Sequence, residues 1–194
     1  MTASTVSKNA APWFWVQFEA GQPQAGSLPP GRDIAMLTQG LTKPAGLVPE
    51  MWRYHRTAVD DDLAARGIVT DTLVAEHMAL ALFGAHQQGK GQLMHRPGVR
   101  LGTAARALHE RYSESGVDEL LQSAAKARTL AGLFLRLRAL VSMLAAVGQP
   151  LDYTQLLYDL RSWPDPDRRA RTIRAWGFTY RPWIAPEKAD GGSV

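Results

Sequence analysis

The 194-residue sequence predicts an all-α fold of two packed helical-bundle lobes, and three observations carry that reading. Apolar residues recur at i, i+3, i+4 and i+7, the period of a helix face, and the single strand-like segment has no second strand to pair with. Capping side chains stand ahead of the periodic stretches, and Gly or Pro stands behind them. Charge then divides the chain: an acidic first part and a basic second part place the lobes at 13–115 and 116–183. Residues 1–12 and 184–194 read as flexible tails.

Trp13-Phe-Trp-Val-Gln-Phe18 is aromatic enough for a strand but reads as the start of a core helix, broken within Gly21–Gly31 by Pro23, Pro29 and Pro30. Arg32–Gly40 is a short helix with Ile34 and Leu37 on one side. Thr70 or Asp71 caps a helix ending near Gln88, with Leu73, Val74, His77, Leu80, Ala81 and Gly84 on its inner face. Gly89–Gly98 cannot continue it and is expected to be a mobile loop. Leu101–Tyr112 turns Leu101, Ala104, Ala105 and Leu108 inward, and Val117–Arg128 is a further helix.

Leu130–Val147 is the longest periodic stretch. Leu130, Leu133, Phe134, Leu137, Leu140, Val141 and Leu144 form its apolar stripe, and Gly148-Gln-Pro150 stops it. Asp152 caps a helix that runs through Leu156, Leu157 and Leu160 to Trp163. Pro164-Asp-Pro-Asp167 ends that helix and opens the last one, with acids where the helix dipole favours them.

Several function classes are excluded. The chain has no cysteine, hence no disulfide, thiolate metal site or cysteine nucleophile. No basic segment followed by an apolar run opens it, and no uninterrupted apolar stretch of about 18 residues suits a membrane span. A cytoplasmic protein with no membrane partner is expected. Five histidines lack metal-ligand spacing, and Glu76-His77 lacks the second histidine of a zinc helix. Gly89-Lys-Gly91 is not a phosphate loop. Asp60-Asp-Asp62 reads as a solvated helix start, because adjacent helical residues point apart. No active site, cofactor or enzyme activity is expected.

The arginines behave differently. Residues 85–181 carry 15 Lys/Arg against 8 Asp/Glu, and arginine outnumbers lysine 17 to 5 in the whole chain. A planar fork of donors suits phosphate oxygens. At about 100° per residue, Arg136 and Arg138 flank Leu137 on either side, and Arg128 falls opposite the core. Arg168, Arg171 and Arg174 share an arc of about 120°, while Ile173, Trp176 and Tyr180 turn inward. Leu130–Val147 contains no acid, so like charges there repel by tenths of a kcal/mol per close pair unless a polyanion joins them. The six tryptophans (Trp13, Trp15, Trp52, Trp163, Trp176, Trp183) could stack on bases, but beside leucines at helical spacing they read as core.

Three passages resemble a known family: Ala79–Gln88, Met94–Leu108, and Arg136 through Pro150–Leu160 to Trp176–Tyr180. Weaker likeness in Gly31–Gly40 and Met51–Arg53 extends the match over most of 30–182. The chain resembles the small (CasB-type) subunit of the type I-E CRISPR surveillance complex, Cascade. The resemblance implies a non-catalytic, two-lobed helical protein. Its partners would be the backbone and large subunits, the guide RNA, the displaced non-target strand of the target DNA, and a second copy of itself. By the same resemblance the basic sites are Arg53, Arg128, Arg138, Arg168, Arg169 and Arg171. Lys90, Arg96 and Arg100 join them on chemical grounds, and Arg136 and Arg174 from their helix positions. The sequence departs from the family at Thr103, where a basic residue is common, and Gly21–Pro30 has no counterpart. The alternative is an assembly protein whose basic face docks on an acidic partner without touching DNA.

Overall fold

The Thr70 hydroxyl accepts the Leu73 amide at 3.3 Å and starts α3 (Asp71–Gln87), the helix on which the others are assembled. A computed structural model describes residues 12–181, so nearly all of both tails, and Trp183, lie outside it. Within those residues the chain is helical, with no strand. α1 (Gly31–Thr38), α2 (Asp61–Ala65) and α3 are followed by α4 (Leu101–Ala107), α5 (Glu114–Ala125), α6 (Leu130–Val147), α7 (Tyr153–Ser162) and α8 (Pro166–Tyr180). From Ala75 onward α3 is buried on nearly every side, against α1, α6 and α7, so its expected one-sided stripe is only part of its contact surface.

Local signals decide most ends. Asp60, Ser113, Thr129, Asp152 and Asp165 each accept a main-chain N–H in the first turn of the following helix. Gly148 ends α6 at φ 69°, a backbone state that suits glycine. At α3, a Cβ on Gly84 would stand 2.7 Å from the Leu37 Cβ and 3.1 Å from the Thr38 nitrogen, so a bare glycine is what lets α1 cross there.

Two expectations need correction. The opening aromatic segment is a 3-10 turn, Phe14–Phe18, rather than an α-helix. Phe14, Trp15 and Phe18 all enter the core, and so short a segment takes the tighter helix. Gly89–Gly98 is anchored rather than mobile. Met94 is fully buried, its N–H donating to Gln87 Oε1 at 2.8 Å and its carbonyl accepting from Leu151 at 3.0 Å. The Arg96 N–H donates to the Leu151 carbonyl, and the Gly98 N–H to Asp152 Oδ2 at 2.7 Å. His95 Nδ1 accepts the Tyr153 N–H at 3.0 Å, leaving Nε2–H to donate to Glu19 at 2.6 Å.

α6 has the length and composition of a membrane span, with 18 residues at mean hydropathy 1.8. Arg136 and Arg138 interrupt its apolar run, so it is not an uninterrupted apolar stretch. In the fold Leu133, Leu137, Leu140, Val141 and Leu144 are buried, and α6 packs chiefly against α3 and α5. The buried residues form one cluster from Phe14 to Tyr180, drawing on both 13–115 and 116–183.

Candidate nucleic-acid interface

The basic residues meet where α5 hands over to α6 and α7 to α8. Trp163 Nε1–H donates to the Ala127 carbonyl at 3.1 Å. Arg169 Nη1 donates to the carbonyls of Arg128 (3.2 Å) and Trp163 (3.3 Å). These bonds hold Arg128 beside the first turn of α8, which carries Arg168 and Arg171 on its solvent side. Arg128, Arg168, Arg171 and Arg174 are exposed and Arg169 half-buried.

α8 sits here because its other face is well held. Trp176 and Tyr180 are buried, and Trp176 Nε1–H donates to Asp159 Oδ2 of α7 at 2.7 Å. Trp163 and Trp176 stack at 5.3 Å. Burial pushes the Asp159 carboxyl up to about 6, against the pull of its bonds from Trp176 and Gln155. Asp165 caps α8, and the Arg168 N–H it accepts, before the nearby guanidinium charges, holds its carboxyl below the ordinary value.

The remaining predicted residues lie elsewhere. Arg136 Nε donates to Ser123 Oγ of α5 at 2.8 Å, and its Nη1 to the Gly132 carbonyl at 2.7 Å. Arg138 turns the other way and donates to the Leu41 carbonyl at 3.1 Å. It lines a groove of about 470 Å³ between α3 and α6, where Lys90 Nζ donates to the Ala145 carbonyl at 2.6 Å. Arg96 and Arg100 are exposed along the anchored loop. Arg53 stands 3.8 Å from Asp33. α6 and α8 are not close packing neighbours; α8 packs chiefly on α4 and α7.

Among the described residues, ion pairs join Arg53 to Asp33, and Arg181 to Glu114 and Asp118, while neutral His95 hydrogen-bonds Glu19. Arg128, Arg136, Arg138, Arg168, Arg169, Arg171 and Arg174 have no carboxylate within 4 Å among those residues. Where they bond to protein at all, the side-chain partner is a neutral oxygen.

Sequence reasoning missed Phe178. It is 70% exposed on α8. Seven residues from Arg171 and four from Arg174, it points within about 20° and 40° of them. The signal was present: two residues past buried Trp176 a side chain lies about 200° away, on the outer face. Trp15, Trp163 and Trp176 are core as expected, whereas Trp52 is 60% exposed, a correction to its core reading.

The profile of the CRISPR-associated protein Cse2 family matches residues 33–180. The chain belongs to the Cse2 family. The resemblance to the small CasB-type subunit of type I-E Cascade is thereby borne out. The crystal structure of CasB from Thermobifida fusca is similar at 27% identity and a TM-score of 0.60, over 77% of this chain and 84% of that one. A Cse2-family CRISPR-associated protein from Thermus thermophilus shares the fold at 21% identity and TM-score 0.57, over 76% and 84%. A structure of CasB from the same organism does so at 24% and 0.54, over the same shares. No curated relative matches at the sequence level.

Proposed function

We propose that this Cse2-family chain is a non-catalytic, cytoplasmic subunit of a type I-E CRISPR surveillance complex whose arginine corner grips nucleic-acid backbone, above all the displaced non-target strand. It works beside the backbone and large subunits, the guide RNA and a second copy of itself, with the lobes 13–115 and 116–183 acting as one platform. One observation carries the reading: Arg128, Arg168, Arg171 and Arg174 face solvent without a carboxylate in reach among the described residues. Phosphate is the counter-charge that fits such a set. Base pairing to the guide supplies sequence, so charge and an aromatic face are all this surface has to offer. Holding the displaced strand raises the occupancy of the open duplex without any chemistry.

The test is Arg168→Ala with Arg171→Ala in the assembled complex. The expected result is weaker retention of the displaced strand, followed by gel shift and crosslinking at several salt concentrations, with the melting temperature of the isolated subunit unchanged. Retention equal to wild type at every salt concentration overturns the proposal. A second reading applies to the α6 side. Leu135 is 62% exposed beside Arg138 in the α3–α6 groove, which suits docking on an acidic protein surface. On that reading Arg138→Ala abolishes incorporation into the complex instead of strand retention.

A further inference from the structure

α6 has 18 residues at mean hydropathy 1.8, yet it buries only Leu133, Leu137, Leu140, Val141 and Leu144. At about 100° per residue, Ala131, Leu135, Arg138, Ser142 and Ala145 share an outer arc of about 80° and run about 21 Å along the helix. Leu135, Arg138, Ser142 and Ala145 line the α3–α6 groove of about 470 Å³. Ala131 and Phe134 line a second groove, of about 420 Å³, toward the start of α3. The two grooves meet at Leu41, which lines both. Leu135 is 62% exposed, and Leu41, Met78 and Phe134 are half-buried. The floor between them is pinned. Arg138 donates to the Leu41 carbonyl at 3.1 Å, and His77 Nε2–H to the Lys43 carbonyl at 2.9 Å, so residues 40–45 are tied to α6 and to α3. A contiguous apolar face of this extent marks an interaction surface.

The charged groups in the lining say what covers it. They are Arg138 and Lys43, and Lys90 joins them at the far end through its 2.6 Å bond to the Ala145 carbonyl. No carboxylate of the described residues lines either groove, and none of the three cations is in an ion pair among those residues. Bonds to carbonyls leave their charges in place. Two acids stand nearest in sequence to the lining. Glu76 is fully buried and accepts the Arg56 and Thr57 N–H groups, and Asp71 lies in the first turn of α3, beyond Val69. α6 itself has no acid. Nucleic acid brings no aliphatic side chains to fill an apolar floor. A second copy docking by the same face would set cation against cation.

We infer that this face of α6, together with residues 40–45, docks a segment of another protein subunit that combines apolar anchors with aspartate or glutamate. The anchors fill the two grooves on either side of Leu41, and the carboxylates meet Arg138, Lys43 and Lys90. The inference names the occupant for the docking reading of the α6 side and rests on that reading. It is independent of the arginine corner on α8.

The test places the photo-crosslinker p-benzoylphenylalanine at Leu135 and, separately, at Thr42, which is exposed in the second groove, in the assembled complex. Mass spectrometry identifies the joined peptides. The expected result is that both positions join one segment of a different subunit, in which Asp and Glu outnumber Lys and Arg. Crosslinks to a basic segment, to two separate segments, to nucleic acid, to a second copy or to residues 1–11 or 182–194 of the same chain overturn it, as does silence at either position. Leu135→Ser with Lys43→Glu should melt like wild type, since both side chains are exposed, and should lower retention in the complex at least about fivefold. Unchanged retention of that variant also overturns the inference. Arg138→Ala tells the two failures apart. If it abolishes incorporation while the crosslinks fall on a basic segment or on two segments, docking by α6 stands and the occupant named here is wrong. If it leaves incorporation intact, the docking reading falls and the inference with it.

Discussion

Gly102 of α4 lies against the Trp176 carbonyl of α8 with no room for a side chain. A Cβ on Gly102 would also stand 2.8 Å from the Tyr180 nitrogen, and backbone atoms cannot move aside as a flexible side chain can. The packing of α4 on α8, and through it the direction in which Arg168, Arg171 and Arg174 point, depends on that one missing methyl group. Gly102→Ala should cost about 1–3 kcal/mol through overpacking, read as a melting temperature lower by roughly 2–10 °C. It should also weaken strand retention although every arginine remains. A variant that melts and binds like wild type would show that α8 is not held this way.

Salt dependence separates phosphate ligands from arginines with structural partners. Each lost phosphate contact should lower the slope of log affinity against log salt by about 0.7 for a single strand. Arg168→Ala with Arg171→Ala should therefore reduce it by about 1.4. Arg181, already paired with Glu114 and Asp118 at 2.7 and 2.9 Å, should leave the slope unchanged when replaced by alanine. Binding of labelled single-stranded oligonucleotide to the assembled complex at four or more salt concentrations measures both. Equal slopes for the two variants would count against the α8 site.

Much of this architecture was legible because its signals are local. Thr70, Asp152 and Asp165 cap within three residues of themselves, and Gly148 stops α6 one residue past its last helical turn. What escaped is set by distant residues. The Gly89–Gly98 segment looks mobile until Leu151 and Asp152 are seen to hold it, more than fifty positions away. Helix angles correctly sent Arg136 and Arg138 to opposite sides of α6. They could not say that Ser123 and the Leu41 carbonyl would be waiting there. Nor could periodicity gather Arg128 with Arg169, since a main-chain carbonyl makes that link.

Phe178 should add an aromatic contribution on top of the charges. Stacking of one unpaired base on an aromatic ring is worth about 1–3 kcal/mol. Phe178→Ala should therefore weaken single-strand binding by roughly 5- to 150-fold, with little effect on duplex binding and none on the salt slope. Phe178→Trp should retain the affinity. Equal losses on single strand and duplex would mean that the ring acts through the fold.

Acid should reveal two buried groups that act in opposite directions. Burial, then the Lys90 charge, pushes His86 down to about 4, and burial also lowers His55, His77 and His95. A histidine held neutral in the fold contributes stability above its unfolded value of about 6.5 that is lost as pH falls toward the folded value. Asp159 runs the other way. Its folded value of about 6 lies above the ordinary 3.8, so between those values the folded chain holds a proton that the unfolded chain releases. Its contribution therefore improves as pH falls through 6, by an order of 3 kcal/mol at full effect. Asp159→Asn keeps an acceptor for Trp176 Nε1–H but removes that offset. The variant should melt at or above the wild-type temperature at pH 7.5, then lose more on going to pH 5 than wild type does, by roughly 3–6 °C, since about 1.4 kcal/mol of the offset is recovered by pH 5. Thermal melts at the two pH values decide it: an equal loss in both proteins would mean that Asp159 is ionised throughout.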